Sequence, residues 1–360
     1  MEFGVVSLGD HLPNPVTGRY NESQAQKHLA WVTQGVLAER YGYASLWLGE
    51  HHFNDYILSV PQMVLAAIAM RTTSLRLGTA VTLLANHDPV RIAEDFATLD
   101  LLSGGRAEIG VAPGISPATF ELFGQSGQEA GAMMVEKLDL LDRLWSEREL
   151  DWEGLYRAPF KAAHVEPRTF SGRPIPIWVG TGTSIDKATA AGRKGYKLQL
   201  ATIFGAYKDY APVAAAYREA YLAAGHPENE MEVAVIAYCY VDDDNPTPHD
   251  AWAPYMGQYR HFMKDIVRGK GLTEGIKALA SLATARDLDG GWREFDFCGP
   301  SRQIAERVLQ ANEDVGGIDH LYCYFDAGGM PQSMVEDSIE QFARQVMPRV
   351  RRELGVEKAA

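Results

Sequence analysis

Short apolar runs alternate with longer segments of helical period from one end of the chain to the other. The strand-length runs are EFGVVSL (2–8), SLWLGE (45–50), LRLGTAVTLL (75–84), AEIGVA (107–112), IPIWVGT (175–181), KLQLATI (197–203), EVAVIAYCYV (232–241) and HLYCYF (320–325). Most are apolar on both faces, as strands are when helices cover them outside and packed side chains fill the space inside. Between them, segments 23–41, 60–71, 89–102, 131–147, 185–194, 206–224, 301–314 and 332–350 read as helices. Capping residues or proline stand at several of their entrances, as at Ser59–Pro61, Asp88–Pro89 and Gly299–Ser301. Eight strand–helix units in this order predict an α/β protein of the (β/α)8 TIM-barrel type. The open-sheet alternative would show a glycine-rich fingerprint after its first strand. This chain instead runs from its first strand into the proline-rich GDHLPNPVTGRYN (9–21).

Three connections exceed simple turns: 113–127 after strand four, 148–174, and 242–299 after strand seven. The expectation is that all three leave or flank the C-terminal ends of the strands, where barrel active sites sit. A small hairpin is expected within 148–174 and a helix at 255–268. No linker divides the chain, so residues 1–360 read as one barrel domain with 242–299 as an inserted lid.

Composition narrows the class. The 360 residues carry a formal net charge of −13, which disfavours phosphate backbones and anionic membranes. Three cysteines (Cys239, Cys298, Cys323), none in a C-x-x-C pair, argue for a reducing compartment and against a disulfide framework. The N-terminus reads as a strand rather than a signal peptide, and no run of eighteen apolar residues occurs, so the cytoplasm is the expected location.

Four motifs carry candidate chemistry. In SLWLGEHHFNDY (45–56) an apolar strand ends in Glu50, His51 and His52, groups that need water or partners. Alternation along a strand directs His51 and His52 to different sides, which weakens a metal reading even with His87 and Asp88 as further ligands. In LRLGTAVTLL the small residues Gly78, Thr79 and Ala80 suggest close approach by another backbone or a ligand. In SGGRAEIGVAPG (103–114) Arg106 begins a strand at the bottom face and reads as structural. In WVGTGTSIDKA (178–188) the turn through Gly182, Thr183 and Ser184 into a helix suits an anion, and a plain capped helix fits equally well. Trp47, Trp178, Cys239 and Cys323 read as core.

Together these pieces resemble the bacterial luciferase-like flavin monooxygenase family. The resemblance rests on AERYGYASLWLGEHHF (38–53), LRLGTAVTLL with HDPVRIAEDFATLDLLSGGRAEIGVAPG (75–114), PIPIWVGTGTS (174–184) and VMPRVR (346–351), in that order. It implies a barrel that takes reduced FMN (FMNH2) from a separate flavin reductase. It further implies that flavin and O2 form a C4a-peroxide, which passes one oxygen to a small apolar substrate such as an aldehyde or ketone. By position, His51 matches the family's active-site histidine, with Glu50 and His52 in support. Ala80–Val81 matches a backbone segment laid against the flavin ring, often through a non-prolyl cis peptide. Gly182, Thr183 and Ser184 match the phosphate seat. No metal is implied. Ala112 stands where the light-emitting subunit has a reactive cysteine, and Pro113 where it has a phosphate-reaching arginine, which argues against light emission.

Two other readings share this fold: a deazaflavin-dependent dehydrogenase and a flavin-binding protein without turnover. A homodimer is expected from family precedent. Ala66, Ala67, Ala69, Ala93 and Ala97 allow close helix packing, against a partner or against the barrel itself.

Overall fold

The structure is a computed structural model and describes residues 1–267 and 297–356. Eight parallel strands close into a barrel. They are β1 (Glu2–Ser7), β2 (Ser45–Leu48), β3 (Arg76–Thr79), β5 (Ala107–Ala112), β8 (Ile177–Thr181), β9 (Lys197–Leu200), β10 (Val233–Val241) and β12 (His320–Tyr324), each paired with the next, with β12 returning to β1. In the register across the closure, Val5 lies opposite Leu46 on one side and Cys323 on the other. All eight strand-length runs in the sequence are barrel strands. Between them lie α1 (Gln24–Arg40), α2 (Pro61–Ala69), α3 (Pro89–Ser103), α4 (Pro117–Leu122), α5 (Ala130–Ser146), α6 (Ile185–Lys194), α7 (Ala211–Ala223) and α8 (Pro248–Val267). Among the described residues no helix is long and apolar enough to cross a membrane.

The run 75–84 is not one strand. It breaks after β3 and resumes as β4 (Thr82–Leu83), which also pairs with β5. The break is the Ala80–Val81 peptide, which is cis. The connection 148–174 does hold a hairpin, β6 (Leu150–Trp152) with β7 (Phe160–Ala163). Only its turn flanks the C-terminal ends of the strands. The hairpin leaves the lower end of α5, where Arg168 donates to the carbonyls of Leu144 and Trp145. Its turn then climbs along α5, so that Glu136 accepts the Leu155 and Tyr156 N–H groups and Arg157 reaches Asp88 at 3.5 Å. α8 begins seven residues earlier than the helix expected at 255–268. The glycine-rich 287–295 and Trp292 lie outside the described residues.

The barrel core is aromatic. Trp47, Trp178 and Tyr322 are each at most 1 % exposed, with ring centroids 5.6 Å (Trp47–Trp178) and 4.7 Å (Trp47–Tyr322) apart. The missing side chain at Gly78 makes room for this stack rather than for a ligand: a Cβ there would fall 2.2 Å from the Trp47 ring. A Gly78→Ala substitution is expected to cost about 1–3 kcal/mol by overpacking. A lower urea midpoint at unchanged m-value would show it.

Below the stack the floor is ionic. Glu108 lies 3.4 Å from Arg76, which pairs with Glu2; Glu2 lies 3.5 Å from His320, and His320 lies 2.6 Å from Glu232. Glu232 then meets Lys197 at 3.0 Å, whose ammonium sits 5.0 Å over the Trp178 ring. The Trp178 indole N–H returns to Glu108 and completes a ring of partners. Arg106 is structural, as its place implies: it donates to the carbonyls of Ala69, Thr72, Leu75 and Ser103 and to the Thr72 hydroxyl, at 2.6–3.1 Å. Cys239, Cys298 and Cys323 are buried, and no disulfide joins them. Ala69, Ala93 and Ala97 are buried within the chain, so these three alanines serve its own packing.

Candidate active site

β2 delivers three consecutive functional groups to the barrel mouth, and the period-two geometry separates them. Glu50 turns toward the β3–β4 break. Its side chain is fully buried, and Oε1 accepts hydrogen bonds from Nε2 of His52 (2.7 Å) and Nε2 of His87 (2.6 Å). Oε2 accepts the Leu83 N–H at 3.1 Å, and the Glu50 N–H donates to the Val81 carbonyl at 3.2 Å. Burial pushes the Glu50 carboxyl up; the donors from His52 and His87 outweigh it and hold the group at about 2. Glu50 is therefore a charged carboxylate whose oxygens are all engaged.

His51 turns the other way. Its ring stacks on Tyr56 at 4.0 Å, and Tyr56 is braced by the Tyr259 hydroxyl (2.5 Å) and the Met263 sulfur (2.7 Å), both from α8. Burial lowers the His51 imidazolium to about 4 against the opposing pull of Glu50, so the ring is neutral at pH 7. Its Nδ1 is buried, and the backbone of Gly49 and Leu8 borders the ring. Gly49 lets the pieces meet: a Cβ there would fall 3.0 Å from the Ala80 carbonyl oxygen and 3.3 Å from His51 Cε1.

The second wall comes from β5 and β8. A Cβ at Gly180 would fall 2.9 Å from Val81 Cγ1, so the break in the third strand leans on the end of β8. Gly182, Thr183 and Ser184 follow at once. Ser184 caps α6, its hydroxyl accepting the Lys187 N–H at 3.4 Å. His51, Ala80, Val81, Ala112, Gly180 and Gly182–Ser184 are half-buried in a barrel whose strands are otherwise open to solvent only at Glu2, Arg76 and Lys197 on the floor, so they trace its opening. Inside it, Thr181 Oγ1 and Gln199 Nε2 are buried without partners. Unsatisfied polar atoms around an opening fit a polar, ring-bearing cofactor with an anionic tail. A cleft of about 470 Å³ lined by Pro174, Tyr196, Lys197 and Glu232 lies at the opposite, N-terminal end of the strands.

The same groups are the candidates for holding a metal. Glu50, His52 and His87 bring three potential ligand atoms within 4.8 Å of one another. Their N–O separations of 2.6 and 2.7 Å are hydrogen-bond lengths. Two ligands on one zinc, each at ~2.0–2.1 Å, would stand about 3 Å or more apart. Asp88 faces away, capping α3 through the Val90 N–H at 2.9 Å. The arrangement is a carboxylate gripped by two imidazoles. Sequence reasoning considered His87 only as a metal ligand and passed over Tyr56. The signal for His87 was present in its place directly before a capped, proline-started helix, at the top of strand three.

Comparison with known proteins bears on the chain as a whole. Residues 1–317 match the family described as luciferase-like monooxygenase. A relative in Streptomyces nodosus subsp. asukaensis, 4-hydroxyprotoasukamycin monooxygenase, is 28 % identical over 326 residues, covering 86 % of this chain and 84 % of that protein. Among solved structures, monooxygenase RslO1 from Streptomyces bottropensis superposes with a TM-score of 0.80 at 24 % identity, covering 97 % of this chain and 99 % of that one. The oxygenating constituent of 3,6-diketocamphane monooxygenase from Pseudomonas putida, in complex with FMN, gives 0.77 at 20 %, covering 97 % and 98 %. An F420-dependent secondary alcohol dehydrogenase gives 0.72 at 19 %, covering 97 % and 99 %. At these identities the structural likeness is one of fold. The family match, spanning most of the chain, carries more: this protein is an oxidoreductase of the luciferase-like monooxygenase family.

Proposed function

We propose that the protein is an FMN-dependent monooxygenase of the two-component type, receiving reduced FMN from a separate reductase and oxygenating a small apolar substrate such as an aldehyde or ketone. The observation that carries this reading is His51: a neutral imidazole with a buried Nδ1, stacked on Tyr56 and set across Gly49 from the Ala80 carbonyl. Bound reduced flavin would supply the electrons with which one atom of O2 enters the substrate and the other leaves as water. The chain's part is to bind, orient and move protons. Ala80 and Val81 offer backbone as a bed for the ring. Gly182, Thr183 and Ser184, with the first turn of α6, offer N–H groups and hydroxyls to the phosphate, and Thr181 Oγ1 is an unspent partner beside them. His51 takes or gives a proton at the ring's edge, and its neutrality suits it to accept one. Glu50 and His52 hold the surroundings of that edge. Tyr56, Tyr259, Phe262 and Met263 form an apolar wall in which α8 covers the mouth, consistent with a neutral substrate.

The same scaffold serves a deazaflavin dehydrogenase among its structural neighbours, and that is the second reading. A flavin-binding protein without turnover is the third. Anaerobic fluorescence titration with oxidised FMN, reduced FMN and the deazaflavin separates them. Tight, selective binding of reduced FMN, followed by O2 consumption on rapid mixing, is the expected result. Selective deazaflavin binding would replace the first reading by the second, and binding without O2 consumption or hydride transfer by the third. A cytoplasmic homodimer completes the proposal. The exposed Met63 and Met70 at α2 and Leu101 and Leu102 on α3 supply an apolar face for it.

A further inference from the structure

We infer that His87 is a positioning residue: through Glu50 it fixes the Val81–Leu83 backbone on which, in the proposed function, the cofactor ring rests. Glu50 grips this segment twice, taking the Leu83 N–H on Oε2 and giving its own N–H to the Val81 carbonyl. The side-chain half of the grip, on Leu83, is only as rigid as the carboxylate's orientation. His52 cannot set that orientation alone, because it stands two residues away on the same segment and moves with it. His87 comes from a different element. Its own N–H donates to the Leu84 carbonyl at 3.2 Å, and it directly precedes Asp88 and Pro89, the capped start of α3. From that mount its Nε2 reaches Glu50 Oε1 at 2.6 Å. The contact joins residues 37 positions apart and ties the end of β2 to the far side of the β3–β4 break. The His87 side chain is 28 % exposed while the carboxylate it holds is fully buried, so the ring is spent on a bond rather than on filling the core. Charge-assisted hydrogen bonds of this kind are the strong ones, and those to a buried carboxylate gain from the low local dielectric.

The test reads the backbone first and the cofactor second. Amide exchange at Leu83 is followed in the unliganded protein for wild type, His87→Leu and His87→Gln. His87→Leu is expected to lose about tenfold or more of the Leu83 protection, the equivalent of one charge-assisted hydrogen bond, while protection in β1, β10 and β12 stays unchanged. His87→Gln keeps an N–H donor and is expected to restore most of it. FMN affinity should follow the same order, weakened about tenfold by His87→Leu and recovered by His87→Gln. Unchanged Leu83 protection in His87→Leu would overturn the inference, as would failure of His87→Gln to do better than His87→Leu. The exchange measurement needs no flavin. If wild type binds neither FMN nor deazaflavin, the proposed function falls, while the positioning role is still decided by Leu83.

Discussion

A His51→Ala variant is expected to bind FMN within a few-fold of wild type and to turn over about 10²–10⁴-fold more slowly, the usual range for losing a positioned acid–base group. The ring is half-buried, so its removal leaves a gap at the mouth rather than a hole in the core, and folding should survive. Titration is the sharper signature. Burial holds His51 near 4. The neutral form therefore persists from pH 8 down to about pH 5, and the activity it carries declines only as pH falls through 4. A kcat/KM profile with an acid limb near the ordinary histidine value of about 6.5 would assign the chemistry elsewhere. So would a His51→Ala variant of undiminished rate.

Glu50→Gln is expected to be the most destabilising near-isosteric change at the mouth. The carboxylate accepts three hydrogen bonds; an amide of the same shape turns one of its two heads into a donor facing a donor. Against burial, the donors from His52 and His87 hold the folded carboxyl at about 2, below the ordinary glutamate value of 4.5. That depression corresponds to roughly 3 kcal/mol of stability, fully present above the unfolded value and lost as pH falls through the folded one. Urea denaturation at pH 7 should therefore show Glu50→Gln about 3 kcal/mol less stable. The difference should shrink in acid, because wild type surrenders the contribution between pH 4.5 and 2 and the variant has none to surrender. Equal stabilities at pH 7, or a gap that stays constant into acid, would mean that the ionised carboxylate contributes nothing.

The barrel was legible because its strands are covered on both sides, which writes continuous apolar runs into the chain and leaves turn residues between them. The opposite directions of His51 and His52 followed from strand alternation alone. The cis peptide was not written in any local pattern: LRLGTAVTLL reads as one unbroken strand, and only the family resemblance marked Ala80–Val81. Gly78 shows how a correct signal acquires the wrong cause. The space was real, but its occupant is Trp47, a residue 31 positions earlier that the fold alone brings there. The hairpin in 148–174 was legible, but nothing local says that its base leaves the lower end of α5 while its turn climbs back to Asp88. The pairing of Glu50 with His87 was out of reach for the same reason, because it exists only after β2, β3 and β4 are aligned. The alanines of α2 and α3 gave two readings, and burial assigns Ala69, Ala93 and Ala97 to the interior.

The ring of partners on the barrel floor bears on recombination. Its members come from the first strand to the last, and the link from Glu2 to His320 spans the closure itself. A chimera that keeps β1–β5 from this chain and takes the rest from a relative would import foreign partners for Glu2 and Glu108 together. Arg76 would keep both its carboxylates while one neighbour of each was exchanged. Crossover points that look neutral in the loops are therefore unequal at the base: those that transplant Lys197, Glu232 and His320 as a set carry their own charge balance with them, and those that split the set leave a partly buried ion without its counterpart.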